Sequence, residues 1–179
     1  WGGGGGGAGK TTLLKTIMGL LKPQQGSIHY QGTEITAKSP EELYPLGLRY
    51  VGQEKKVFGN LTVRENIEVA AFGSQEPMDR ALDKVMAIYP KLKNFLHFKA
   101  GQLSGGQRQI LLVGRALVGD PKFLLIDEPT QGLAAVVIED IGIILKKLKE
   151  QVSAVIVEQN LAIVKYLADR VYILKEGKL

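Results

Sequence analysis

No other stretch limits the fold of this 179-residue chain as much as Gly2 to Thr12, six glycines and Ala-Gly-Lys-Thr-Thr, which run straight into Leu13, Leu14, Ile17 and Met18. By composition the glycines suggest a flexible linker. A linker has no need to end in Gly-Lys-Thr-Thr at the start of an apolar helical pattern. Gly4, Gly5, Gly6, Gly7, Ala8, Gly9, Lys10 and Thr11 also fit the spacing G-x-x-x-x-G-K-[ST], in which backbone N–H groups wrap around a phosphate chain. That wrapping needs dihedrals and a close approach that a Cβ would forbid. A helix starting near Thr11 then aims its N-terminal N–H groups and dipole at the anion. Lys10 would bring a full positive charge to the phosphates, and the Thr11 hydroxyl is suited to Mg²⁺. On these residues alone a linker and a phosphate loop both stand, and the rest of the chain decides.

Downstream, short apolar runs alternate with long helical ones. Thr11 to Gly19 has helical spacing and stops at a glycine, with Pro23 just beyond. "GSIHYQGTEI" alternates apolar and polar around Gln31-Gly32, the pattern of a strand and tight turn. "LRYVGQ" reads as a short buried strand ending at Gln53. From Glu65 to about Phe98 the period turns helical, with Met78, Leu82, Val85, Met86 and Tyr89 on one face. "FLLIDEP", "AVIVEQ" and "VYILKEG" are three β-rich runs separated by helical stretches. This alternation predicts a single α/β domain over residues 1–179, which would be a P-loop NTPase fold if the glycine run is the phosphate loop. Its sheet is expected to be mostly parallel, with a small antiparallel part and an all-helical insertion over about residues 65–118.

Two further stretches carry chemistry. "FLLIDEP" puts Asp127 and Glu128 at the C-terminal end of an apolar strand, the end beyond which open α/β sheets bind ligands. One carboxylate there can hold Mg²⁺ through water, and a second can polarise an attacking water. Without the glycine loop, a solvated acidic turn would be the better reading of this pair. "LSGGQRQILLVGRAL" opens with Ser104 as a natural N-cap, then Gly105, Gly106 and Gln107 at the head of a long apolar-faced helix. A helix start with a serine and bare glycine N–H groups is a second anion site, although as a lone stretch it could be just a capped helix. Two such helix starts about a hundred residues apart ask for one nucleotide held between two surfaces.

Together "LSGGQ", "GRAL", "DPK" and "FLLIDEPT" resemble the ATP-binding cassette ATPases, and the likeness runs over essentially the whole chain. It implies that the glycine run is a phosphate loop binding ATP. It also implies that Ser104, Gly105 and Gly106 touch the γ-phosphate of ATP held by a second subunit. Gln53 in "YVGQ" is similar to the family's Q-loop glutamine, which binds Mg²⁺ and water and couples to a transmembrane partner. Thr11, Gln53 and Asp127 would then form the Mg²⁺ site. Glu128 would be the catalytic base, with Gln159 at the family's switch position. "AIYPKLK", "AGQLSGGQRQ", "DEPTQGLA" and "VIVEQN" resemble one branch, the ATPase subunits of importers for branched-chain amino acids and for urea and short amides. The partners so implied are a second, identical or different, ATPase subunit, transmembrane permease subunits, and a periplasmic or extracellular solute-binding protein. The place implied is the cytoplasmic side of the membrane, held there through the permeases. ATPases of lipid or lipopolysaccharide exporters are the nearest competitors.

The chain departs from the family pattern at several points. Gly6 stands where asparagine is usual, and Gln159 where most members carry histidine, although glutamine is usual in the importer branch. Ala134 and Ala135 stand where an aspartate and a proline are expected. Trp1 is too close to the loop to serve as the family's adenine-stacking aromatic. Because family members extend at both ends, the chain is expected to be part of a longer ATPase.

Composition narrows the alternatives. There are no cysteines, which excludes disulfides, thiolate metal sites and a cysteine nucleophile. Only His29 and His97 are present, too scattered for a zinc site. No apolar run approaches the roughly 20 residues of a membrane helix, so a soluble intracellular chain with a membrane role through partners is expected. The formal charge of +5 is spread with no Lys/Arg block longer than two residues, which reads as a solvated face rather than a nucleic-acid footprint. A soluble cassette ATPase acting on nucleic acid or ribosomes remains a second reading. The compact spacing between the glycine loop and LSGGQ leaves no room for the insertions such proteins carry.

Overall fold

Strand β3 (Leu48–Val51), β4 (Phe123–Asp127) and β5 (Ser153–Val157) form a parallel sheet in the order β3-β4-β5. The computed structural model describes residues 9–54 and 56–179. β4 is central and almost wholly buried, as expected of a strand covered on both faces. Its register pairs Val51 with Ile126 on one side and Asp127 with Val157 on the other. A separate hairpin joins β1 (His29–Tyr30) to β2 (Thr33–Glu34). The two residues between them, Gln31 and Gly32, both have positive φ, the backbone that a two-residue hairpin turn requires.

Alternation along β4 sends successive side chains to opposite layers. Leu124 and Ile126 enter a core packed by α5 (Gly105–Leu117), α6 (Ala135–Lys149) and α7 (Leu161–Leu167), through Ile110, Val113, Ile141, Leu145 and Ile163. Leu125 points the other way, into a smaller core with Leu14 and Met18 at and just after α1 (Lys10–Ile17) and Leu43 of α2 (Pro40–Leu43). Asp127 has the parity of Leu125, so its carboxylate is on the α1 side. A third cluster, Val63, Ile67, Val85 and Leu111, packs α3 (Val63–Gly73) and α4 (Met78–Ile88) on the outer face of α5.

Local chemistry sets the boundaries. α3 starts earlier than its periodicity suggests, because Thr62 and Glu65 form a reciprocal capping box, Thr62 Oγ1 accepting from the Glu65 N–H and Glu65 Oε2 from the Thr62 N–H. Fully buried Asn66 then fastens the preceding loop, accepting from the Phe58 N–H and donating to the Phe58 and Thr62 carbonyls at 2.9–3.0 Å. The entry to β4 is fixed by Glu76, which accepts from the Gly119 N–H at 2.9 Å and pairs with Lys84. α1 ends where Gly19 turns left-handed at φ +71° and its N–H meets the Thr16 carbonyl.

Two expectations need amendment. The strand expected to reach Gln53 ends at Val51, and Gln53 lies in the bend that follows. "VYILKEG" does not form a strand. Val171, Tyr172 and Ile173 are exposed, and only an isolated bridge joins Lys175 to Lys178. High β propensity makes a strand only where a neighbour supplies a ladder, and none of the described residues lies alongside this run in the sheet.

The Gly19 turn gives a stability test. A Cβ there would be 2.2 Å from the Lys38 carbonyl oxygen, in a backbone region that side chains rarely adopt. Gly19→Ala should therefore cost about 2–4 kcal/mol, combining left-handed strain with overpacking. Urea denaturation should show a lower midpoint with an unchanged slope.

Candidate active site

The parallel register of β4 and β5 brings together the residues expected to do chemistry. Glu128 follows β4 directly, and its N–H bonds to the Val157 carbonyl at 2.8 Å. Two residues beyond Val157, the Gln159 side-chain amide donates to Glu128 Oε1 at 3.0 Å. Glu128 adopts φ +46°, a left-handed conformation uncommon for a residue with a side chain and one that clusters at functional sites. Burial, and next the adjoining Asp127 carboxylate, push the Glu128 pKa above its ordinary range, with Glu158 adding to the push. Lys10 and the Gln159 hydrogen bond pull it back. The interaction with Lys10 ties the head of α1 electrostatically to the end of β4.

Asp127 is fully buried, with Oδ1 lacking a hydrogen-bond partner among the described residues and Oδ2 facing the Tyr50 hydroxyl at 3.4 Å. A buried carboxylate oxygen left without a donor is costly and suits a hard cation. With the Thr11 hydroxyl and the Gln53 amide, the donors are all oxygen and include one carboxylate. Mg²⁺ takes that kind of set while keeping several waters. Thr11 and Gln53 share the wall of one groove of about 790 Å³, together with Lys15, Tyr50, Val69 and Arg115. Among the described residues no cluster of three or more His, Cys, Asp or Glu could cage a metal by itself.

Of the phosphate-loop residues, Gly4 to Ala8 lie outside the described part of the chain. Gly9 is the left-handed N-cap of α1 at φ +85°, with no side-chain cap, and Lys10, Thr11 and Thr12 form the first turn. The first-turn N–H groups therefore have no competing capping side chain. At the head of α5 the situation differs. Ser104 Oγ accepts from the Gln107 N–H at 3.2 Å, and Gln107 Oε1 accepts from the Ser104 N–H at 2.9 Å. Ser104 and Gly105 are exposed, whereas Gly106 is buried. A Cβ on Gly106 would come within 2.2 Å of Val137 Cγ1, so this glycine is needed for α5 to approach α6 as well as for a bare N-terminus.

Glu158 was not singled out by its sequence context. Its Oε1 accepts from the Gln159 and Asn160 N–H groups at 3.0 and 3.1 Å, and Asn160 Oδ1 in turn caps α7. The loop bearing Gln159 is thus gripped by the acid before it and the amide after it. The signal was the polar triplet Glu-Gln-Asn between a strand and an apolar helix.

Comparison with known proteins bears on this geometry. The model of the family described as ABC transporter matches residues 3–131. The chain belongs to the ABC transporter family. Within that family it is the ATP-binding, ATP-hydrolysing part. It is 39% identical over 178 residues to the high-affinity branched-chain amino acid transport ATP-binding protein BraG of Pseudomonas aeruginosa, covering 98% of this chain and 76% of that one. It is 38% identical over 180 residues, with the same coverage, to a probable branched-chain amino acid transport ATP-binding protein, LivF, of Archaeoglobus fulgidus. Among solved structures it is similar to a dimeric, post-hydrolysis ATP-binding cassette bound to ADP and Pi, with a TM-score of 0.80 and 27% identity over 95% of this chain and 78% of that one. A nucleotide-free cassette from an ABC transporter matches with a TM-score of 0.78 and 30% identity, covering 95% and 74% of the two chains.

The raised pKa of Glu128 makes a signed prediction. An acid whose folded pKa lies above its ordinary 4.5 penalises folding at neutral pH. The penalty fades as pH falls through the folded pKa toward the unfolded value. Glu128→Gln should therefore raise the thermal midpoint at pH 7.5 relative to the parent, and the gap should narrow toward pH 5. Differential scanning calorimetry across that range checks it.

Proposed function

We propose that the chain is the ATPase subunit of an importer for branched-chain amino acids or a chemically close amide, working as a pair of cassettes that close on ATP. The observation that carries the catalytic half is the Gln159 amide on Glu128 at the end of a strand whose Asp127 carries an unpartnered carboxylate oxygen. The solute is supported by the names of the relatives, both of them branched-chain amino acid transport proteins. Pairing is supported by the dimeric cassette among similar structures.

In this reading Lys10, Thr11, Thr12 and the glycine loop hold the phosphates, and Ser104, Gly105, Gly106 and Gln107 close on the ATP of the opposite subunit. Thr11, Gln53 and Asp127 would hold Mg²⁺, which when bound neutralises charge on the phosphate oxygens. Glu128 takes a proton from the attacking water, with the Gln159 amide on Oε1 holding the carboxylate in place. The raised pKa makes Glu128 a stronger base than an exposed glutamate. Gln159 cannot titrate, so it orients Glu128 and the water without sharing the proton. Lys10 and the backbone N–H groups stabilise the transferring phosphoryl charge.

The groove would give a permease a place to dock. Its wall joins Gln53 to Val69, Ala70, Leu112 and Arg115, and exposed Phe58 and Phe72 lie on the elements around it. The α3–α5 module would then serve as the helical subdomain that, with the Gln53 loop, receives a transmembrane partner. No helix among the described residues is long and apolar enough to cross a membrane, so attachment would be peripheral.

Three substitutions test the division of labour. Lys10→Ala should weaken ATP binding by about ten- to a hundredfold, the scale of one charge-assisted hydrogen bond, measured by nucleotide titration. Glu128→Gln should lower steady-state turnover by about 10²–10⁴-fold, the loss expected for a general base. Gln159→Ala should cost only about three- to tenfold. A Gln159→Ala enzyme as slow as Glu128→Gln would overturn these roles.

A further inference from the structure

Tyr50 touches both the Gln53 loop and the buried carboxylate. It sits on β3 opposite Leu125 of β4, with its side chain on the face that carries Asp127 two residues later. Its hydroxyl reaches Asp127 Oδ2 at 3.4 Å. Its ring lies under Gly52, so closely that a Cβ there would be 3.1 Å from Cε1 and 3.4 Å from Cζ and Oη. Gly52 precedes Gln53, and Tyr50 also lines the groove. One rigid side chain therefore spans from the loop at the groove to the carboxylate at the site.

We propose that Tyr50 is a positioning residue that fixes the Asp127 carboxylate through its hydroxyl and the Gln53 loop through its ring, so that a displacement of that loop changes the grip on Mg²⁺. This rests on the reading of Asp127 and Gln53 as metal-holding residues. Restraining Oδ2 leaves Oδ1, which has no hydrogen-bond partner among the described residues, as the oxygen that would face a cation. A carboxylate only accepts, so in this pair the Tyr50 hydroxyl is the donor and Oδ2 the acceptor. At 3.4 Å the bond is long, which makes its role orientation of a carboxylate and its expected effect modest. The ring contact is tight: a Cβ at Gly52 would require the Tyr50 ring to shift by a few tenths of an ångström.

Tyr50→Phe separates the two roles, since it removes the hydroxyl and keeps the ring. The probe is Mn²⁺ with ADP, followed by electron paramagnetic resonance on the full chain, alongside the Mg²⁺ dependence of ATP turnover. Tyr50→Phe should weaken Mn²⁺ binding and raise the KM for Mg²⁺ by about three- to tenfold. Metal-free ADP affinity and the thermal midpoint should stay at the parental values. Gly52→Ala, which presses on the ring, should weaken Mn²⁺ binding in the same direction with Asp127 and Tyr50 both intact. Equal Mn²⁺ affinity in parent and Tyr50→Phe would overturn the role of Tyr50, as would a fall in thermal midpoint without any change in metal affinity. A parent chain that binds no Mn²⁺ with ADP would instead overturn the metal reading, and this inference with it.

Discussion

The parallel pairing of β4 with its two neighbours is the constraint on which the site depends. β4 is short and apolar and has neighbours on both edges and both faces, so it cannot shift by one residue without exchanging Leu125 and Ile126 between two cores. The register that satisfies both cores places Asp127 opposite Val157. It also leaves Glu128 and Gln159 at the same end of adjacent strands, within hydrogen-bonding reach. The electrostatic cost follows from the same packing. Two adjacent carboxylates at the end of a buried strand repel one another, and Lys10 and the Gln159 amide offset part of that repulsion.

Close approach of backbones does the rest of the positioning. Gly106 lets α5 meet α6, and Gly114 lets α5 meet Val85 of α4, where a Cβ would come to 2.8 Å. α5 is therefore held by packing on two sides, against α6 at its head and against α4 nearer its C-terminal end. Its capping box satisfies Ser104 and Gln107 locally and leaves Ser104 and Gly105 at the surface. α1 has the opposite character, with a left-handed glycine at its start and no side-chain cap. The head of α1 is left without a side-chain cap and that of α5 is presented outward, which suits the proposed sharing of one ATP between two subunits.

The α/β class was legible in the sequence because β4 and β5 are continuous apolar runs bounded by turn residues and separated by a long helix. The hairpin was legible from Gln31-Gly32, since few residue pairs tolerate two consecutive positive φ values. The start of α3 was less so, because its capping box lies upstream of the apolar periodicity. "VYILKEG" misled for a physical reason: strand propensity describes fit to a pleated surface, and this run has no such neighbour among the described residues. At the site, Asp127, Glu128 and Gln159 could be found from motifs. Tyr50 and Glu158 could not, because an aromatic in a strand and an acid beside a polar pair are ordinary features until the register shows what they face. The phosphate loop up to Ala8 lies outside the described residues, and its role rests on spacing and on the family.

The central claim is that one ATP is held by Lys10 of one subunit and Ser104 of another, with Glu128 beside it. Mixing two inactive variants tests this directly. At an ATP concentration that fills the parental site but not the weakened Lys10→Ala site, Lys10→Ala leaves the phosphate side of every site it forms empty, and Ser104→Arg blocks the opposing side. A mixed dimer joins the two lesions at one site and leaves the other site intact. If subunits assort at random and sites act independently, an equimolar mixture should recover about a quarter of the parental ATPase rate, although each variant alone is inactive. A mixture that stays as inactive as its components would contradict the shared site.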